Sequence, residues 1–173
     1  MTEIPSDSML TKAKEQVTIP TASTALPLAY RLTLLVLEPL RALNGAVMTF
    51  RAPADYVAHV THKPALYSPA NQFLYMQLGG AWLLFAFNEA VVLRLVDDLR
   101  VWRLLCWGML VSDIVYHVSS VQAVGGWGEF VRVGEWNTFD WAVFASAVVP
   151  MVVRLLVVAG VGVKTNKVGE KAK

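Results

Sequence analysis

Three carboxyl residues, Glu38, Glu89 and Asp113, and two arginines, Arg41 and Arg154, lie inside stretches that are otherwise apolar. His117 follows Asp113 by four residues. A charged side chain at the centre of a bilayer is costly, so it turns inward and takes a partner. The five charges do not balance. An arginine keeps its charge, whereas a buried carboxyl takes up a proton. The imbalance has three resolutions: a protonated carboxyl, a cationic His117, or the entry of Arg31 or Arg94 into the group. The first supplies a carboxylic acid in apolar surroundings, which general-acid chemistry on a lipophilic substrate requires. Glu89, Asp113 and His117 are the candidate catalytic groups, and Glu38, Arg41, Asn88 and Arg154 are the network around them.

Simpler roles stand beside these. Glu38 and Arg41 are three apart on one helical face and suit a local ion pair. Asp113 and Arg154 suit a clamp between two helices, and His117 suits a satisfied core position. Trp82, Phe85, Phe87, Tyr116 and Trp141 suit packing as well as the lining of a cavity.

The elements that position these groups are long apolar runs. Of 173 residues, 55% are hydrophobic and 16% charged, against about 25% charged in soluble domains. A spanning helix needs about 20 mostly apolar residues. Four stretches qualify: 26–50, 71–96, 101–124 and 141–163. The second and third are joined by the short charged hinge 97–103, which forces an antiparallel hairpin. Pro39 predicts a kink in the first span, and Gly79-Gly80 favours close helix approach. The expectation is an all-α membrane protein, a four-transmembrane-helix bundle with a kinked first helix. Arg94 is placed to snorkel to the interface. Trp102 and Trp107 suit one aromatic belt, and Trp127 and Trp136 the other.

Outside the spans, 1–25 reads as a disordered cytosolic tail and 164–173 as a basic cytosolic tail. No basic start is followed by an apolar core, so the first residues do not read as a secretory signal. Pro53, Pro64 and Pro69 predict a loop between the first two spans. Nine lysines and arginines gather at the end carrying the termini, against three at the other. Both termini are therefore expected in the cytosol. The lone Cys106 excludes an intrachain disulfide, and no metal or cofactor is expected. His59 and His62 lack a third ligand for a zinc site. No basic stripe interleaves with exposed aromatics, which excludes nucleic-acid binding.

Several motifs run in a fixed order: Tyr30-Arg31, Glu38-Pro39, Gly45-Ala46, Gln77-Leu78, Leu84-Phe85-Ala86-Phe87-Asn88-Glu89-Ala90 and Val92-Leu93-Arg94. Asp98-Leu99-Arg100-Val101-Trp102-Arg103 follows, then Asp113 with His117, Trp136, Asp140-Trp141 and Arg154. Over about Ala29 to Gly162 this order resembles a fungal family of small four-span integral membrane proteins catalogued as a domain of unknown function. Some members sit near specialised-metabolite gene clusters. The chain departs from the family pattern at Ala142-Val143, where members often carry Gly-Asn. The resemblance implies a fungal source and a role in specialised metabolism, terpenoid or polyketide-derived. By architecture alone the chain is similar to small membrane isomerases and terpene cyclases that protonate hydrophobic substrates.

Three functions are compatible with these features. One is acid–base isomerisation or cyclisation of a lipophilic small molecule, with Glu89 or Asp113 as acid and the second carboxylate or His117 as base. Another is a non-catalytic scaffold, lipid-binding or transport-accessory protein. The third is a subunit of a proton-coupled transporter. Membrane lipids are the expected surroundings, other biosynthetic membrane enzymes the expected neighbours, and the endoplasmic reticulum the default residence.

Overall fold

A short helix, α1 (Ala22–Ala25), precedes the first long helix, α2 (Leu28–Arg51). Then come α3 (Pro53–Thr61), α4 (Pro69–Leu95), α5 (Leu99–Val124), the short α6 (Trp127–Phe130) and α7 (Thr138–Ala159). The computed structural model describes residues 20–61 and 67–164. Among the described residues, α2, α4, α5 and α7 are long and apolar enough to cross a membrane. The shortest, α7, has 22 residues, about 33 Å at 1.5 Å per residue, against a hydrocarbon core of about 30 Å. The surface is inverted relative to a soluble bundle. Leu95 and Leu104 are 78% and 72% exposed, whereas Glu89 and Arg154 are 0% and 1% exposed. This is the architecture of a multi-pass membrane protein.

Local sequence sets the helix ends. Asp98 caps α5 by accepting from the backbone N–H of Arg100 at 2.7 Å. Asn137 opens α7 in a reciprocal capping box with Asp140, which satisfies two amide donors that a helix start leaves free. The left-handed Gly125 and Gly160 close α5 and α7, a conformation that glycine adopts without steric cost. These caps shift the expected boundaries. The hinge shrinks to a few residues around Asp97, because Val101, Trp102 and Arg103 already belong to α5. The fourth long helix starts at Thr138 and ends at Ala159.

The irregularity that Pro39 predicts takes the form of a π-helical stretch, Thr33–Leu37, immediately before Glu38. A second π-helical stretch, Asn88–Val92, interrupts α4 and contains Glu89. The two stretches pack against each other. They turn the two glutamates toward the bundle interior on neighbouring helices.

The end carrying the termini is packed shut. Ala22, Ala25 and Leu26 join Leu34, Leu93, Leu99, Trp102, Cys106 and Val157 in one buried cluster. Asp97 accepts from the Ser23 backbone N–H at 2.7 Å and from its hydroxyl. Arg31 donates to the Ser23 carbonyl at 2.9 Å, and the Lys164 N–H donates to the Ala25 carbonyl at 2.8 Å. Residues 20–25, expected in the tail, are therefore folded onto the bundle; residues 1–19 and 165–173 lie outside the described residues. Trp102 is not a belt residue: it is buried, and its indole N–H donates to the Val96 carbonyl at 2.9 Å. Trp107 faces outward.

At the opposite end the structure is looser and aromatic. Phe130, Trp136, Trp141 and Phe144 stack edge to face. Part of the expected first loop is helix α3, because Pro53 at a helix start has no amide hydrogen to leave unsatisfied. His59 of α3 stacks on Phe139 at 4.8 Å. His62 lies outside the described residues, and among those described no group of three His, Cys, Asp or Glu side chains is placed to hold a metal ion.

Between α2 and α4 the helices approach through two glycines. Gly79 lies under the ring of Phe50, and Gly45 under the indole of Trp82. Gly80 touches nothing comparable, so only one of the paired glycines serves the contact.

Candidate functional site

Arg154 of α7 is the centre of the site. Its Nη1 donates to both oxygens of Asp113, the longer contact being 2.7 Å. Its Nη2 donates to Glu89 Oε1 at 2.7 Å and to Glu38 Oε1. One guanidinium thus gathers a carboxyl from each of the other three long helices. Arginine suits this role because its planar fork offers several donors at fixed angles. Phe85 covers the guanidinium at 5.3 Å from the ring centre.

The local Glu38–Arg41 pair expected from spacing does not form. Glu38 turns to Arg154, which is 1% exposed and has no water to fall back on. Arg41 is only half-buried and makes no hydrogen bond or ion pair with any described residue. Neither Arg31 nor Arg94 enters the group: Arg31 holds Ser23, and Arg94 donates to the Leu35 carbonyl in α2.

The carboxyls outnumber the donors. Glu38 Oε2 and Glu89 Oε2 are both buried with no N–H or O–H donor. Glu38 Oε1 and Glu89 Oε1 accept from the same Arg154 nitrogen, so the two carboxyl groups crowd one another. Carboxyl pairs at this range do not ionise fully, because like charges oppose it.

A cavity of about 210 Å³ adjoins the cluster. Glu38, Arg41, Trp82, Phe85, Asp113, Tyr116 and His117 line it; Glu89 and Arg154 do not. A second cavity of about 330 Å³ lies toward the looser end, lined in part by His59, Glu129, Arg132, Trp136 and Phe144. Tyr116, His117 and Ala147 line both and form the partition between them.

His117 Nδ1 sits 2.7 Å from the Asp113 carbonyl oxygen. A carbonyl only accepts, so Nδ1 carries the hydrogen. In neutral imidazole Nε2 then has a free lone pair, and it is buried with no partner. The arrangement therefore offers two crowded carboxyls, one of them on a residue that lines a cavity, and a buried, unpartnered imidazole nitrogen on another residue of the same lining. Asn88 opens the π-helical stretch of α4 but lines neither cavity and does not join the network. The unpaired Arg41 and the Glu38–Glu89 contact were not foreseen from the sequence. Pro39 beside Glu38 was the available signal, since it disturbs the helical face on which the local pair was expected.

Comparison with known proteins yields one family. A model described as a domain of unknown function (DUF7704) matches residues 23–164. No curated protein matches the chain, and no solved structure does.

Proposed function

The chain belongs to this family of unknown function, and we propose from its site that it performs acid–base chemistry on a lipophilic small molecule, an isomerisation or cyclisation, within the bundle. One observation carries this reading. Glu38, crowded against Glu89 on one nitrogen of Arg154, lines a 210 Å³ cavity together with His117, whose Nε2 is unpartnered.

The roles differ from those suggested by sequence alone. Glu89 lines neither cavity, so in this reading it stores the proton of the crowded pair instead of delivering it. Asp113 commits both oxygens to Arg154 and holds that arginine in place. Glu38 is the acid and His117 the base. Positioned proton transfer of this kind contributes roughly 10²–10⁴-fold to a rate. The sequence resemblance supports a fungal source and a place in terpenoid or polyketide-derived specialised metabolism. The nine-to-three distribution of lysine and arginine supports cytosolic termini. The endoplasmic reticulum is the membrane we assign, and a fluorescent fusion checks that assignment.

A strain lacking the gene, complemented with wild type, Glu38→Gln or His117→Gln at equal protein level, tests the chemistry. Restoration of the lipophilic metabolite profile by wild type alone supports it. Equal restoration by all three removes both residues from the mechanism. A scaffold is the second reading, favoured by the fact that Arg154 ties all four long helices together and so has a structural duty regardless. It predicts that deletion relocates neighbouring biosynthetic enzymes while both variants complement fully.

A further inference from the structure

Arg41 is a fixed positive charge about midway along α2, and it makes no hydrogen bond or ion pair with any described residue. Charges at such depth are paired or face a cavity that something polar enters. Arg41 faces one: the 210 Å³ cavity it shares with Glu38 and His117. With one proton on the crowded Glu38 and Glu89 pair, as like-charge repulsion favours, the three carboxyls carry two negative charges, and Arg154 and Arg41 carry two positive ones. The empty site is then neutral, and a permanently anionic ligand would leave a negative charge unbalanced in an apolar bundle. A neutral ligand with an oxygen acceptor leaves the balance intact.

We propose that Arg41 binds the carbonyl oxygen of a lipophilic ketone or enone, and that the reaction passes through its enolate. This deepens the acid–base reading above and rests on it. His117 Nε2 takes a proton from a carbon activated by the carbonyl. The C–H electron pair moves into the conjugated system, and negative charge collects on the oxygen beside Arg41. The imidazolium formed balances the enolate, so the site stays neutral. Glu38 then gives its proton to another carbon of the same system, and the double bond has moved. The imidazolium returns its proton to the Glu38–Glu89 pair. No oxidant or reductant is consumed. Arg41 supplies a fixed donor where charge develops, in a place that excludes most water.

Hydrogen–deuterium exchange tests this without knowledge of the natural substrate. The full chain in lipid nanodiscs is incubated in D₂O with 2-decanone and with a long-chain enone, and exchange at the carbons beside the carbonyl is followed by mass spectrometry. Binding is read in parallel from the ¹³C shift of a carbonyl-labelled probe. Wild type is expected to exceed protein-free nanodiscs by at least tenfold and to move the carbonyl signal downfield. Arg41→Gln is expected to lose the signal shift and most of the exchange, with Arg41→Lys intermediate, all three proteins being equally monodisperse. Exchange and shift unchanged in Arg41→Gln overturn the assignment of Arg41. Absence of both in wild type overturns the carbonyl substrate class. Either result leaves complementation by the Glu38 and His117 variants as an independent test of the acid–base reading.

Discussion

Arg94 donates from its guanidinium to the carbonyl of Leu35, on a different long helix. That oxygen lies four residues before Pro39, which has no amide hydrogen to offer it. The arginine repairs the gap and ties α4 to α2 beside the two π-helical stretches. Arg94→Met is expected to cost about 1–2 kcal/mol, the typical effect of leaving an acceptor without its charged donor. In a Pro39→Ala background, where an N–H is restored, the same substitution is expected to be close to neutral. Thermal unfolding of the four proteins of this cycle in one detergent measures the coupling.

Arg154→Met removes the partner of three carboxyls at once. Breaking a buried pair from one side costs about 3–5 kcal/mol, so the variant is expected to aggregate or unfold at markedly lower temperature. Adding Glu38→Gln and Asp113→Asn should recover much of that loss, because neutral amides need no counter-charge. Size-exclusion profiles after graded heating distinguish the single from the triple variant.

Gly79→Ala and Gly80→Ala should behave oppositely, although they are neighbours. A Cβ at position 79 would overlap the Phe50 ring, whereas at position 80 it meets nothing within 4 Å. Overpacking of this kind costs about 1–3 kcal/mol, while replacing an unencumbered helical glycine by alanine gains up to about 1 kcal/mol. Phe50→Leu should relieve the first effect and leave the second untouched. Apparent melting temperatures of the single and double variants read both.

A hydrophobic carbodiimide reacts with protonated carboxyls that it can reach. Glu38 lines the 210 Å³ cavity and Glu89 lines neither of the two described, so peptide mass spectrometry should find the adduct on the Glu38 peptide. Asp113, with both oxygens held by Arg154, should stay largely unmodified. An adduct on Glu89 equal to that on Glu38 would contradict the placement of Glu38, and not Glu89, on the cavity lining.

Much of the architecture was legible because lipid imposes a simple rule: long apolar runs become helices, and charges inside them turn away from the hydrocarbon. That rule singled out Glu38, Glu89, Asp113 and Arg154, and the structure brings those four together. It is silent on which partner each takes. Glu38 and Arg41 share a helical face by spacing, yet the buried Arg154 from α7 displaces the nearer partner. Spacing also assumes a regular helix, and both glutamates sit at or beside π-helical stretches where that assumption fails. The exposure of Arg41 to a cavity was hidden for the same reason. The short α1 was missed because four small or polar residues carry no periodic signal; Ala22 and Ala25 are buried only through tertiary packing.

The two ends of the bundle differ in kind. Where the chain begins and finishes, Ala22, Trp102 and Val157 fill the interior like a stopper in a flask, while both hollows lie beyond the acid cluster on the opposite side. A ligand bound for the carboxyls is therefore expected to enter through that opposite half of the bundle, and a reagent approaching from the Ala22 end to meet the stopper first.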